Sequence, residues 1–138
     1  ASLNNRRIRV TKQKGLTGAL LGTGIPFKDQ SYIDAYLAML KSLLKDAAGI
    51  RRAGSAALDL AYVAAGRFDG FWEIGLKPWD MAAGVLLVQE AGGIVTDLEG
   101  GDKYFETGGI VCANPKLQAP MLELIAPHLT DALKYDGR

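Results

Sequence analysis

Phe71–Leu98, FWEIGLKPWDMAAGVLLVQEAGGIVTDL, is the stretch whose reading decides the fold. Phe71 to Ile74 is short, apolar and aromatic, which predicts a strand, and Gly75 lets the backbone turn out of it. Pro78 suits the first position of a helix, where its missing N–H has no bond to make. Met81 to Ala91 is apolar almost all round, the pattern of a helix buried on more than one side. Gly92 and Gly93 end that helix, and Ile94–Thr96 returns as a strand. The unit carries one conspicuous carboxylate, Asp80, in the first helical turn. An aspartate there either caps the helix, stabilised by the dipole and the unpaired N–H groups, or holds a hard cation at a strand-to-helix crevice.

Working outward, the 138 residues are enough for one domain with a real core. Hydrophobic residues make up 49%, and 17 glycines supply tight turns, a composition that points to a compact α/β protein. The net charge of +1 gives no global field that calls for nucleic acid or a membrane surface. Cys112 is the single cysteine and sits in an apolar run, so a buried inert thiol in a reducing compartment is expected. No apolar run approaches the roughly 20 residues of a membrane span, and no signal-peptide pattern opens the chain. A cytoplasmic location is the expectation.

Asn5 to Lys14 alternates basic and apolar residues, with Ile8 and Val10 on one side and Arg7 and Arg9 on the other. That pattern predicts a half-exposed strand whose basic face is solvated or touches phosphates. Gly18–Ile25 reads as a short buried strand running into a glycine turn. Asp29 or Ser31 is placed to cap a helix in which Ile33, Tyr36, Leu37, Leu40, Leu44 and Ala47 recur at helical spacing, with Gly49 ending it. Ile50–Ala53 is too short for periodicity to decide, although a strand is plausible. Glu99–Gly109 reads as a glycine-rich loop, Ile110–Ala113 as a strand, and Asn114-Pro115 as the opening of a final helix. His128, the only histidine, reads as a surface residue.

Arg51 to Ala57, RRAGSAA, is the second informative stretch. Gly54 allows close backbone approach, and Ser55 is placed to cap a helix over Ala56–Ala65 that stops at Gly66. Helix-opening N–H groups beside a glycine and two arginines fit an anion site; they equally fit an ordinary N-cap with two surface arginines. Glu73 closes the Phe68–Ile74 strand seven residues before Asp80. A strand end and the next helix start bring two such acids to one crevice.

Gly54-Ser55-Ala56-Ala57-Leu58-Asp59-Leu60-Ala61, then Glu73-Ile74-Gly75, Pro78-Trp79-Asp80 and Glu90-Ala91-Gly92-Gly93, resemble the C-terminal half of an inositol monophosphatase. The likeness is strongest to the bacterial SuhB-type members, which carry a similar arginine-pair and GSAALDLAYVAAGR segment before the tryptophan–aspartate motif. The resemblance covers nearly the whole chain. It implies an α/β fold, the C-terminal half of a layered α-β-α-β-α sandwich with a mixed sheet flanked by helices. It also implies Mg²⁺-dependent, lithium-sensitive hydrolysis of inositol monophosphate or a similar polyol phosphate, commonly by a homodimer. By the same likeness Asp80 is a catalytic metal ligand, and Glu73 bonds a ring hydroxyl of the substrate. Gly54, Ser55 and Ala56 lie at the substrate's rim, and Arg51 contacts the substrate. Carboxylate oxygens suit Mg²⁺, which neutralises phosphate charge and activates water.

The family's upstream acid and its D-P-[IL]-D-G-T motif do not occur in these residues. The chain therefore looks like half of an enzyme, with residues 1–14 ending the first half's sheet and 15–138 forming the C-terminal α/β domain. One carboxylate falls short of the roughly six oxygens Mg²⁺ requires, so these residues alone are expected to be inactive. Two other readings stay open. Some SuhB-type members bind transcription-antitermination factors and RNA polymerase, a role related to ribosome biogenesis that would use surface and not Asp80. Other relatives act on fructose bisphosphate or nucleotide 3′-phosphates.

Overall fold

Short apolar runs bounded by glycine alternate with longer runs of helical period, and such a chain must cover a sheet with helices. The computed structural model describes residues 2–3, 6–26 and 32–134. It opens with a two-stranded antiparallel ribbon, β1 (Ser2–Leu3) and β2 (Arg6–Arg7). Then come β3 (Leu20–Thr23), α1 (Ile33–Leu44), β4 (Gly49–Arg51), α2 (Ala56–Ala64) and β5 (Gly70–Glu73). After them follow α3 (Pro78–Glu90), β6 (Ile94–Thr96), the single turn α4 (Tyr104–Thr107), β7 (Ile110–Ala113) and α5 (Gln118–Ile125).

Five strands form one mixed sheet in the order β4-β3-β5-β7-β6. β4, β3 and β5 run parallel, and β7 runs antiparallel to both its neighbours. β5 and β6 therefore point the same way, joined by α3 as a crossover, with β7 inserted between them. The register Phe71↔Cys112 and Trp72↔Val111 sorts side chains by strand period. Trp72, Val111 and Ala113 enter a core with α1 and α5; Phe71, Ile110 and Cys112 enter a second core with α2 and α3. Both sheet faces are covered, which explains why these strands read as nearly continuous apolar runs. The result is an α/β sandwich with a mixed sheet between two helical layers.

The central unit forms as its sequence predicts. Pro78 opens α3, Ala91 caps it, and Gly92 follows at φ +92°, a left-handed turn that favours glycine. α2 and α3 approach closely at Gly84, where a β-carbon would lie 2.6 Å from Leu60. Gly84→Ala is accordingly expected to destabilise the protein by about 2 kcal/mol. A fall in melting temperature of roughly 5–8 °C would register it; an unchanged value would show that the helices separate freely.

Several expectations are corrected. Asn5 lies outside the described residues; beyond it only Arg6–Arg7 is strand, and Ile8–Lys14 is irregular. Val10 donates its N–H to the Ala91 carbonyl at the end of α3 (3.1 Å), and Asn114 Nδ2 donates to Thr11 Oγ1 and to the Gln13 carbonyl. Among the described residues, these bonds tie the segment to a helix end and to one side chain, not to a neighbouring strand. Asp29 and Ser31, expected caps of α1, lie outside the described residues. α1 ends at Leu44, and Gly49 does not terminate it but starts β4 opposite Leu20. The buried stripe of α1 is Ala35, Tyr36, Met39 and Leu43, while Leu37 and Leu44 face outward. α3 buries Met81, Gly84, Val85 and Val88 on one side only; Trp79 and Leu86 on the other side are exposed. The Glu99–Gly109 loop contains α4. α5 starts at Gln118, because Asn114 Oδ1 first accepts the N–H groups of Lys116 and Leu117 in a turn. His128 is half-buried, its Nε2 2.8 Å from Ser42 Oγ of α1. Cys112 is fully buried as expected, and burial pushes its thiol pKa far up. No helix among the described residues is long and apolar enough to cross a membrane.

Candidate active site

The parallel strands β4, β3 and β5 all end on one side of the sheet, and a cavity of about 550 Å³ opens at those ends. Such a crevice forms because each chain leaves its strand for a different helix, so nothing fills the space beyond. Gly24 to Pro26 leave β3, Arg52, Gly54 and Ser55 follow β4, and Glu73 to Leu76 leave β5 to line it. The first turns of α2 and α3 complete the wall. Thr23 ties two strand ends together, its hydroxyl donating to the Trp72 carbonyl (3.1 Å). That leaves the Tyr36 hydroxyl to donate to Thr23 Oγ1 (2.9 Å) while the Tyr36 ring stacks on Trp72, centroids 5.8 Å apart.

Asp80, Glu73, Gly54, Ser55 and Ala56 all line this cavity. Both alternatives posed for Asp80 are compatible with its setting. Its Oδ2 accepts the Lys77 N–H at 2.9 Å, a true N-terminal cap, and nothing else among the described residues bonds the carboxylate. One oxygen caps the helix and the other is available to the cavity. Ser55 also caps, accepting the Leu58 N–H at 3.3 Å, so α2 presents its N-terminus to the cavity from an ordinary N-cap.

Arg51 is not brought to the site. It is the last residue of β4, lies near Gly49, and borders a shallower recess with Leu20, Leu58, Tyr62 and Phe68. Arg52, its neighbour, lines both the recess and the cavity. Successive residues leaving a strand face opposite ways, so only one of an arginine pair enters.

Asp59 was not singled out by its sequence, yet it lines the cavity from the first turn of α2. It stands one helical turn after Ser55, on the same face, a signal that spacing contains. It is 1% exposed, and neither carboxylate oxygen has a hydrogen-bond partner among the described residues. Burial pushes its pKa up to about 7; the Ala53 amide works the other way without completing a hydrogen bond to it. Glu73, half-buried, is also pushed up to about 7, first by burial, then by the charges of Asp59 and Asp80, with Arg52 opposing. Three acids and one guanidinium thus share the cavity, an arrangement suited to a ligand rich in hydroxyl donors that also carries an anion. Among the described residues no group of three or more His, Cys, Asp or Glu is placed to hold a metal ion.

The family model described as the inositol monophosphatase family matches residues 1–133. The Nus factor SuhB of Pseudomonas aeruginosa is 58% identical over 136 residues, which is 97% of this chain and 50% of that protein. The Nus factor SuhB of Escherichia coli is 54% identical over 134 residues, again 97% of this chain and 50% of the relative. Among solved structures, the extragenic suppressor protein suhB from Bartonella henselae superposes with a TM-score of 0.84 at 46% identity, covering 88% of this chain and 46% of that one. The inositol monophosphatase from Anabaena superposes with a TM-score of 0.84 at 40% identity, covering 90% and 51%. The chain spans about half the length of the curated relatives it matches.

Proposed function

The chain belongs to the inositol monophosphatase family, and from that premise we propose that it forms one side of the active site of a metal-dependent phosphate monoesterase. Inositol monophosphate or a similar polyol phosphate is the substrate of this reading, and a homodimer its assembly. Residues 1–14 then belong with the sheet of the first half, and 15–138 form the C-terminal α/β domain. The observation that carries the reading is the convergence of Asp80, Glu73, Arg52 and the α2 N-terminus on one cavity at the strand ends.

The donor chemistry fits Mg²⁺, since the acids present offer hard carboxylate oxygens and no thiol or imidazole reaches the cavity. Asp80 would hold the ion through the oxygen not used by Lys77, and the remaining ligands would come from water and from outside these residues. When bound, Mg²⁺ neutralises phosphate charge and activates water. This chain's own groups bind and orient. Glu73 exchanges a hydrogen bond with a hydroxyl of the leaving group, and Arg52 draws the anion toward the N–H groups that open α2.

Phosphate release by the full-length protein tests the reading. Inositol monophosphate should be hydrolysed with Mg²⁺ present and spared when a chelator removes it. Glu73→Gln and Arg52→Ala should reduce the preference for it over a small aryl phosphate by about tenfold, as losing a charged hydrogen bond implies. Equal losses on both esters would assign these groups to the chemical step or to folding.

The names of the relatives support a second reading, binding to partners in transcription antitermination. It draws on outer surface and leaves the cavity's role intact.

A further inference from the structure

Two buried acids in this chain are treated in opposite ways. Asp97 is 4% exposed, and its oxygens accept the N–H groups of Glu99, Gly101 and Lys103 at 2.9, 2.8 and 3.0 Å. Asp59 is more deeply buried and has none among the described residues. An unpaired carboxylate out of water opposes folding, and position 59 sits beside Leu60 and Val63 on the buried side of α2, where a neutral residue would cost less. The space around it is shaped to admit it. Gly22 and Gly24, two residues apart, lie on one face of the chain as it leaves β3. A β-carbon on Gly22 would stand 3.0 Å from Asp59 Oδ1 and 2.7 Å from the Phe68 ring; one on Gly24 would overlap the Glu73 carboxyl. The same strip of backbone thus leaves room for both acids, Asp59 sealed against the strand and Glu73 at the cavity. The Asp59 charge bears on Glu73 ahead of that of Asp80.

We propose that Asp59 is a positioning residue, kept at a cost to stability, whose charge behind Glu73 holds that carboxyl over Gly24 and toward a hydroxyl of the leaving group. It rests on the reading of Glu73 as a substrate contact. Repulsion from behind and open space over Gly24 leave Glu73 one favourable position before substrate arrives, which is how a site avoids reorganising during binding. Asp59 itself faces Glu73 from β5, the Cys112 thiol from β7 and the Ala53 amide ahead of α2; Asp80 of α3 and Arg52 act on Glu73. The pH dependence has a definite sign. Folded Asp59 titrates near 7 and an unfolded aspartate near 4. Its contribution to folding is complete below about pH 4 and is lost as pH rises toward 7.

The full-length protein and its Asp59→Asn variant decide the matter through melting temperature and substrate preference. At pH 8 the variant should melt at least about 3 °C above the wild type, with a smaller gain at pH 5. At pH 8, where Asp59 carries its charge, the variant's preference for inositol monophosphate over a small aryl phosphate should fall about tenfold. In the Glu73→Gln background, Asp59→Asn should change that preference no further, since the group it positions is gone. A folded variant with no thermal gain at pH 8, or with an unchanged preference, overturns the proposal. If Glu73→Gln alone leaves the preference unchanged, the substrate reading of Glu73 has failed first, and the single variant shows it. Should Asp59→Asn not fold, Asp59→Ser is measured against the same outcomes.

Discussion

Replacing Asp80 by asparagine in the full-length protein is expected to lower Mg²⁺-dependent phosphate release by at least about a hundredfold while leaving the fold in place. Asp80 Oδ2 accepts the Lys77 N–H, and the amide oxygen of asparagine keeps that bond. The lost charge weakens only the interaction with the helix dipole, about 0.5 kcal/mol at a half-exposed position. What asparagine does not supply is an anionic oxygen for a hard cation, so catalysis and stability separate in this one variant. The assay is phosphate release across a range of Mg²⁺ concentrations beside a melting curve. Near-normal turnover by the folded variant would remove Asp80 from the metal site. Capture of antitermination factors by the same variant should be unchanged, since no outer surface is altered; its loss would mean that the cavity controls the partner surface.

A protein limited to Ala1–Arg138 is expected to release no phosphate from inositol monophosphate above background. Mg²⁺ takes about six oxygens, and Asp80 has already committed one of its two to Lys77. Among the described residues no further pair of metal-binding side chains stands near enough to complete a group of three. α3 also exposes Trp79, at the cavity's edge, at 79% and Leu86 at 57%, apolar surface that favours association. The protein should therefore run larger than a monomer in solution. Adding the first half of a SuhB-type relative, expressed separately, should restore phosphate release. A monomer of these residues that turns over substrate unaided would show that the active site is built elsewhere.

Much of the architecture is legible locally. Pro78 at a helix start, Gly92 after its end and an aromatic strand before it specify the strand–helix–strand unit through backbone chemistry that needs no distant partner. Asp80 and Glu73 were readable as one crevice because a strand end and the next helix start are joined by a short turn. Ser55 was readable as a cap for the same reason, since its hydroxyl serves an N–H only three residues on. The metal role proposed for Asp80 and the substrate role proposed for Glu73 rest on family likeness, not on that geometry.

The remainder depended on which surfaces meet. Arg51 and Arg52 are chemically alike, and only the pairing of β4 with β3 decides which one turns into the cavity. Ile8 and Val10 alternate as a strand would, but Val10 finds the end of α3 in place of a neighbouring strand. Five of the six apolar residues that share a helical period lie on α1, and the position of the sheet selects Tyr36 over Leu37 for burial. Asp59 is the clearest case. Sequence spacing puts it on the face of α2 that carries Ser55, but its lack of a hydrogen-bond partner among the described residues arises only because β3 closes over it at Gly22. Periodicity and turn chemistry act between residues a few positions apart, so the sequence by itself determined the elements and their caps. Burial and the field at a carboxylate are sums over groups far apart in the chain, and those only the tertiary structure decided.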